Sequence, residues 1–278
     1  MRFAYSTNAF RCWKLEDALR AIAGCGFDAV ELAAEVPHIW PWGTPPAELK
    51  AIRRRIERSG LAVSNINAFT MFWCGDMQRP TWIEPRDTLR RLRVEHTEWA
   101  LQVAAEVGAP SISTQPGGPL PEGADRNAAL ARFIDGLRHV ADTARKLGVK
   151  ILVEPEPEQL LETEDDFLWF WEACSDLHDV CGMNFDAGHM VCAGRDLAQA
   201  FRKVAHLVRH VHIEDIKGRR HYHLVPGEGD MDFAAFFSAL KEADYQGYVS
   251  LELYTYQHEP VGAGKRGLSV LRRFAGGD

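Results

Sequence analysis

The feature that most constrains the fold is an alternation of short apolar runs with longer amphipathic segments. Eight such runs recur along the chain at intervals on the order of 30–35 residues, the length of one strand–helix unit. They occupy positions 2–6, 28–32, 61–67, 109–114, 149–154, 181–186, 209–214 and 248–253. Short apolar runs between longer helical segments are typical of buried parallel strands.

The segments between these runs follow helical spacing. They include 15–24, 46–60, 89–108, 129–148 and 233–247. In the fourth segment, Leu130, Ile134 and Leu137 recur at intervals of three and four residues. Three segments end in a glycine, at Gly60, Gly108 and Gly148. Glycine suits the left-handed cap of a helix, so these segments are predicted to be helices that end there.

Eight strand–helix units predict an α/β fold, a single (β/α)8 barrel. An open, doubly wound sheet would also alternate, but no GxGxxG follows the first run and eight strands favour closure. The chain of 278 residues shows no Pro/Gly/Ser-rich linker and no shift in composition. We therefore expect residues 1–278 to form one domain.

Composition narrows the classes of function. A formal net charge of −7 disfavours binding to a phosphate backbone, which relies on Lys and Arg. The six cysteines form no CxxC pair, which is typical of a reducing compartment. The first residues carry no apolar signal segment, and no run reaches the length of a membrane span. We expect a cytoplasmic protein without nucleic-acid or membrane partners.

Four strand ends carry candidate metal ligands. Glu154, Asp186, His212 and Glu252 stand at the ends of the last four apolar runs. In a barrel of this type the carboxyl ends of the strands share one mouth, which is where chemistry occurs. Three converging carboxylates would repel one another unless a cation lay between them. The set predicts one divalent ion, Mn²⁺ as first choice and Mg²⁺, Co²⁺ or Zn²⁺ as alternatives. Alternatively, each acid separately caps a helix or pairs with an arginine.

These residues and their surroundings resemble the xylose-isomerase-like TIM barrels, which include sugar (phosphate) isomerases and epimerases and the endonuclease IV group. The similarity is strongest over 149–256, in EPEPEQLLET, NFDAGHM, HVHIED, HLVPGEGDMDF and YVSLELY. The N-terminal half resembles the family mainly in layout. The resemblance implies that the four residues are metal ligands, and that His189 reaches a substrate hydroxyl.

Two groups within that family act on different substrates, DNA and small sugars. Endonuclease IV is similar in its DxxH and in the histidine before GEG, but it uses three zinc ions and needs further histidines near strands three and four. Asn67 and Gln115 stand there, and neither is a good zinc ligand. His221 stands where an aspartate is expected. We therefore favour one metal and a small, sugar-like substrate over DNA.

The ligands predict the chemistry. An isomerase or epimerase removes a proton from a carbon next to a carbonyl, and a metal stabilises the resulting enediolate. Glu154 and Glu252, from non-adjacent strands, are the predicted catalytic pair that removes and returns the proton. A lyase or dehydratase acting on a keto-cyclitol or 3-keto-glycoside would use the same groups. A non-catalytic sugar-binding protein is a further alternative.

Weaker signals surround this set. Glu156, His189, Arg219 and His223 are predicted to bind substrate. For Glu156 and Arg219 the alternative is a solvated loop charge, and for His189 it is a capping or packed side chain. Aromatic residues are dense in two loops, at Trp40, Trp42, Phe69, Phe72 and Trp73. They indicate either sugar stacking or the interface of a homo-oligomer.

Overall fold

Eight parallel strands close into a barrel in the computed structural model, which describes residues 1–39, 43–69 and 79–276. They are β1 (Arg2–Ser6), β2 (Ala29–Ala33), β3 (Ala62–Asn67), β4 (Ser111–Thr114), β5 (Lys150–Val153), β6 (Cys181–Asp186), β7 (Val208–Ile213) and β10 (Tyr248–Leu251). Around the barrel these strands follow the order β1-β10-β7-β6-β5-β4-β3-β2. The predicted single (β/α)8 barrel is confirmed. Trp40, Trp42, Phe72 and Trp73 lie outside the described residues.

Helices follow the strands on the outside of the barrel. They are α1 (Leu15–Cys25), α2 (Pro46–Ser59), α3 (Asp87–Val107), α4 (Arg126–Leu147), α5 (Glu164–Ala173), α6 (Ala187–Cys192), α7 (Leu197–Val204), α8 (Phe233–Glu242) and α9 (Pro260–Ala275). The glycine caps predicted for α2, α3 and α4 are confirmed. Gly60, Gly108 and Gly148 adopt φ values of 75°, 84° and 67°, the left-handed region in which glycine is unstrained.

Side chains alternate across the barrel wall. Outward-facing residues form the apolar core, as where Phe185 of β6 packs on Phe201 and Phe236 with ring centroids 5.3 and 5.9 Å apart. Their neighbours in sequence face inward and are polar. Asn184 and His212 are both fully buried in the interior of the barrel. Since unpaired buried polar groups are costly, this interior must be a connected network.

A hairpin between β7 and α8 is an element that the sequence did not predict. Its antiparallel strands are β8 (Asp215–Lys217) and β9 (Arg220–Leu224), and β9 packs on α6. Asp215 holds its base, because its carboxylate accepts hydrogen bonds from the backbone amides of Gly227, Gly229 and Met231 at 2.8, 2.9 and 3.1 Å. The hairpin is thereby fixed beside the mouth of the barrel.

In the part of the chain that the structure describes, the helices are all too short or too polar to cross a bilayer.

Candidate active site

One ring nitrogen marks the centre of the site. His212 Nδ1 lies 3.1 Å from Glu154 Oε1, 3.7 Å from Asp186 Oδ2 and 3.7 Å from Glu252 Oε2. All four side chains are buried. The strand register explains the meeting: Asp186 of β6 pairs with His212 of β7, and Glu154 and Glu252 directly follow β5 and β10. The predicted metal ligands therefore converge.

Side-chain amides orient the two glutamates. Asn184 donates to Glu154 Oε2 at 2.7 Å, while Asn8 and Asn67 donate to Glu252 Oε1 at 2.8 and 3.1 Å. In each glutamate one oxygen is held by amides and the other faces His212. A carboxylate held in this way presents a defined oxygen to a cation or a reacting proton.

Glu31 fixes the orientation of the His212 ring from below. This carboxylate, fully buried in β2, lies 2.8 Å from His212 Nε2. Because an ionised carboxylate can only accept a hydrogen bond, Nε2 carries a proton. The other ring nitrogen, Nδ1, faces the carboxylates of the cluster. Burial opposes charge on the ring, but Glu31 and then Glu154 raise the pKa of His212 well above its ordinary value. The position therefore stabilises positive charge strongly.

Asp186 ends β6 and begins α6. Its Oδ1 accepts a hydrogen bond from the backbone amide of His189 at 2.8 Å and so caps the helix. Burial opposes ionisation, but His189 and His212 lower the pKa of Asp186 well below its ordinary value. Among the described residues, Oδ2 meets no hydrogen-bond donor. An ionised, buried oxygen that faces His212 Nδ1 fits a divalent cation, as does the donor set of three carboxylates and one imidazole.

Glu214 adds a further acid behind this site. It is fully buried, and neither of its oxygens meets a donor within the described part of the chain. Burial, and then the charge of Asp186, raise its pKa well above the ordinary value. A protonated Glu214 would be able to donate a hydrogen bond to the Asp186 carboxylate. This explains how two acidic side chains can be buried next to each other.

Three of the four residues predicted to bind substrate lie beside the cluster. His189 donates from Nδ1 to the carbonyl of Pro155 at 3.0 Å, and His223 donates from Nδ1 to the carbonyl of Glu252 at 2.9 Å. Burial lowers the pKa of His223 to about 3, which keeps it neutral. Burial also raises the pKa of Glu156 to about 7, although the charge of His189 acts to lower it.

Arg219 lies apart from these three. It is exposed at the tip of the hairpin with φ 60°, and its guanidinium packs against Gly194, which follows α6. The guanidinium therefore lies against the loop that follows α6. A role for Arg219 toward substrate stays a prediction.

Several supporting residues were not foreseen from the sequence. They are Asn8, Glu31, Asn184 and Glu214. Two of them left a readable signal, because Glu31 interrupts the apolar run DAVEL and Asn184 interrupts MNF. The residue type of Asn67 disfavours it as a zinc ligand, but its hydrogen bond to Glu252 was not predicted.

Most of the chain matches a known family pattern. Residues 19–274 match the model described as xylose isomerase-like TIM barrel. The chain belongs to this family. The match covers far more than the region around the site, and it confirms the resemblance inferred from the strand ends.

Family relatives differ in their reactions. A 2-oxo-tetronate isomerase from Haemophilus influenzae is 28% identical over 267 residues, covering 93% of each chain. An inosose dehydratase from Clostridium perfringens is 23% identical over 260 residues, covering 85% of this chain and 81% of the relative. The structure of a 3-keto-D-glucoside 4-epimerase from E. coli superposes with a TM-score of 0.81 at 24% identity, covering 98% and 99% of the two chains. The epimerase supports the fold, and the names of the first two relatives describe two different reactions, an isomerisation and a dehydration.

Proposed function

We propose that this protein is a divalent-metal-dependent isomerase or epimerase that acts on a keto-sugar or a similar small polyol. The observation that carries the proposal is the meeting of three carboxylate oxygens within 3.1–3.7 Å of His212 Nδ1. Glu154, Asp186, His212 and Glu252 would hold the ion, with Mn²⁺ as first choice because oxygen ligands dominate the set. When bound, the ion would polarise the substrate carbonyl and stabilise the negative charge that develops beside it.

Glu154 and Glu252 are the proposed proton carriers. They follow β5 and β10, which are separated in the barrel by β6 and β7. A substrate at the mouth would therefore meet one glutamate on each side. One carboxylate removes the proton from the carbon next to the carbonyl and the other returns a proton. Return to the opposite face inverts the centre, and return to the neighbouring carbon converts a ketose into an aldose.

The surrounding side chains would orient the substrate. His189 and His223 lie beside the catalytic glutamates, within reach of hydroxyl groups of a ligand bound there. Glu156 has a pKa near neutrality and could accept a hydroxyl proton or donate one. Asn67 is engaged by Glu252, which supports a sugar substrate rather than the zinc cluster of an endonuclease.

Elimination is the second candidate outcome. The inosose dehydratase among the relatives favours it, because loss of water from a keto-cyclitol begins with the same proton abstraction. In that reaction the second acid would protonate a leaving hydroxyl instead of a carbon.

The test is turnover by Mn²⁺-loaded protein of a panel of 2-oxo-tetronates, ketoses, inososes and 3-keto-glucosides in deuterated water. Mass spectrometry would report isomerisation or epimerisation with one deuterium gained at the reacting carbon. Loss of water would identify elimination, and conversion without deuterium would indicate a hydride shift. Abasic-site DNA serves as the comparison substrate and should stay intact; its metal-dependent incision would contradict the proposal.

Two substitutions test the glutamates. Glu154→Gln and Glu252→Gln keep size and one oxygen ligand, so each should remain folded and still bind metal in part. Each should lose turnover by about 10²–10⁴-fold, the usual contribution of a general acid or base. Glu158→Gln, at an exposed position in the same loop, is the matched control and should stay active. Near-normal activity of either first variant with metal bound would rule out the two-base mechanism.

A further inference from the structure

A second histidine of β7, His210, lies buried in the interior of the barrel, and its two ring nitrogens meet polar side chains from two other strands. Nδ1 lies 3.0 Å from Asn184 Oδ1 on β6, and Nε2 lies 3.3 Å from Ser64 Oγ on β3. Asn184 in turn donates from Nδ2 to Glu154 Oε2 at 2.7 Å. A chain of hydrogen bonds therefore crosses the barrel from Ser64 to Glu154.

The Glu154 end of this chain fixes the direction of its hydrogen bonds. An ionised carboxylate only accepts, so Asn184 turns its amino group toward Glu154 and its oxygen toward His210. The amide oxygen also only accepts, so the proton of a neutral His210 lies on Nδ1. Ser64 adapts to either tautomer, because a hydroxyl both donates and accepts and the carbonyl of Val30, at 3.4 Å, is a second acceptor for it.

The bond from His210 matters because Glu154 depends on one amide. Among the described residues, Glu154 accepts a side-chain amide bond from Asn184 alone, whereas Glu252 accepts two. Without the His210 donor the oxygen of Asn184 would be buried and unpaired, which is costly and favours rotation of the amide. The bond from His210 also polarises the amide and so strengthens its donation to Glu154. Oε2 is then held, and Oε1 stays 3.1 Å from His212 Nδ1.

We propose that His210 is a positioning residue that acts through Asn184 to hold the Glu154 carboxylate in the orientation needed at the ion site. The inference rests on the proposed function, in which Glu154 is a metal ligand and a proton carrier. His210 itself would touch neither ion nor substrate. In the strand register, Asn184 and His210 form the layer of the barrel interior beneath Asp186 and His212.

The tautomer of His210 can be observed without metal or substrate. Long-range nitrogen–proton NMR of isotope-labelled histidines distinguishes a neutral ring with its proton on Nδ1 from one with its proton on Nε2. Chelator-stripped wild-type protein should carry the proton of His210 on Nδ1, and the signals are assigned by their loss in His210→Asn. Asn184→Ala should raise the share of the other tautomer. A proton on Nε2 of His210 in the wild-type protein would overturn the inference.

Two variants of equal shape test the consequence for the ion. His210→Asn and His210→Leu introduce side chains that branch at the same atom, but only asparagine can donate near the place of Nδ1. Mn²⁺ affinity is measured by competition with a chromophoric chelator, and folding by circular dichroism. His210→Asn should stay close to wild type. His210→Leu should bind about tenfold more weakly, the lower end of the range for outer-shell partners. Equal affinities of the two folded variants would overturn the inference.

A double-mutant cycle separates action through Asn184 from a general loss of packing. In an Asn184→Ala background, His210→Leu should cause no further loss of Mn²⁺ affinity, because the residue through which it acts is gone. Losses that add would contradict action through Asn184. Wild-type protein that bound no Mn²⁺ would refute the proposed metal-dependent function itself, and with it the role of His210. That outcome differs from tight wild-type binding that both His210 variants retain.

Discussion

Replacing Glu31 by Gln would test how the protein prepares His212 for a cation. The fully buried Glu31 carboxylate receives three hydrogen bonds: from His212 Nε2 at 2.8 Å, Asn65 Nδ2 at 2.9 Å and Ser250 Oγ at 3.0 Å. A glutamine fits the same space. Its oxygen could keep the bonds from His212 and Asn65, and its amino group could donate to Ser250, whose hydroxyl can accept as well as donate. The substitution therefore removes charge while retaining a complete set of partners.

The expected loss follows from the change in hydrogen-bond type. A hydrogen bond to a charged partner contributes about 1.5–3 kcal/mol and a neutral one about 0.5–1.5 kcal/mol, so the difference is about 1–1.5 kcal/mol. Since 1.4 kcal/mol corresponds to about tenfold, the hydrogen bond alone predicts about a tenfold weaker metal affinity. The lost buried negative charge adds to this, within the 10–100-fold range found for outer-shell partners of metal ligands.

The assay is competition for Mn²⁺ between the stripped protein and a chromophoric chelator at fixed pH. Glu31→Gln should bind Mn²⁺ about 10–100-fold more weakly than wild type. Glu164→Gln is the matched control, because Glu164 is also buried and charged but is paired with Arg195 outside the cluster. If Glu31→Gln bound Mn²⁺ as tightly as wild type and the control did too, Glu31 would not tune His212.

Three further predictions follow from the same contacts. Mn²⁺ at a hundred times its Kd should stabilise the fold by about 2.7 kcal/mol, seen as a rise of several degrees in Tm that a chelator reverses; an unchanged Tm would contradict binding to the folded state. Burial lowers the pKa of His96 to about 3, so the unfolded chain binds the extra proton and stability falls as pH drops below about 6.5, by about 2 kcal/mol at pH 5. His96→Gln should reduce the fall in the denaturation midpoint between pH 7 and 5, and the exposed-site variant His139→Gln should leave it unchanged. A Cβ at Gly188 would overlap Glu214 Oε1, so Gly188→Ala should lower the free energy of unfolding by about 1–3 kcal/mol. Adding Glu214→Ala should recover part of this loss. Additive losses for the two substitutions in urea unfolding would contradict the overlap.

Much of the fold was readable because its signal is periodic. The eight apolar runs became the eight barrel strands, and glycines at Gly60, Gly108 and Gly148 ended helices as expected. The barrel topology then showed which residues lie together, since it places the carboxyl ends of all the strands at one mouth. That is why Glu154, Asp186, His212 and Glu252 could be grouped as one site from their positions alone.

The supporting network could not be read in the same way. Partners of a buried polar group come from any strand that faces it across the barrel, and sequence spacing carries no information about that pairing. Glu31 contacts His212 across a separation of 181 residues, and Asn8 contacts Glu252 across 244. The short strands β8 and β9 were also missed, because KGRRHYH lacks the apolar alternation of a half-buried hairpin. The hydrogen bonds to Asp215 hold the base of this hairpin, and the pairing of β8 with β9 brings His221 next to His189.

The segment from Asp186 to His189 shows how one short motif joins a strand, a helix and the proposed ion site. Asp186 caps α6 through the amide of His189, so the cap itself fixes where the His189 side chain begins. Gly188 lies between them, and only a hydrogen in place of Cβ leaves room for Glu214. Because each residue turns a helix by about 100°, one residue inserted after Asp186 would rotate His189 away from His221 while leaving Asp186 beside His212. Such an insertion should spare metal binding at the site around His212 and weaken substrate binding, to which His189 is proposed to contribute, so the spacing of these four residues matters as well as their identity.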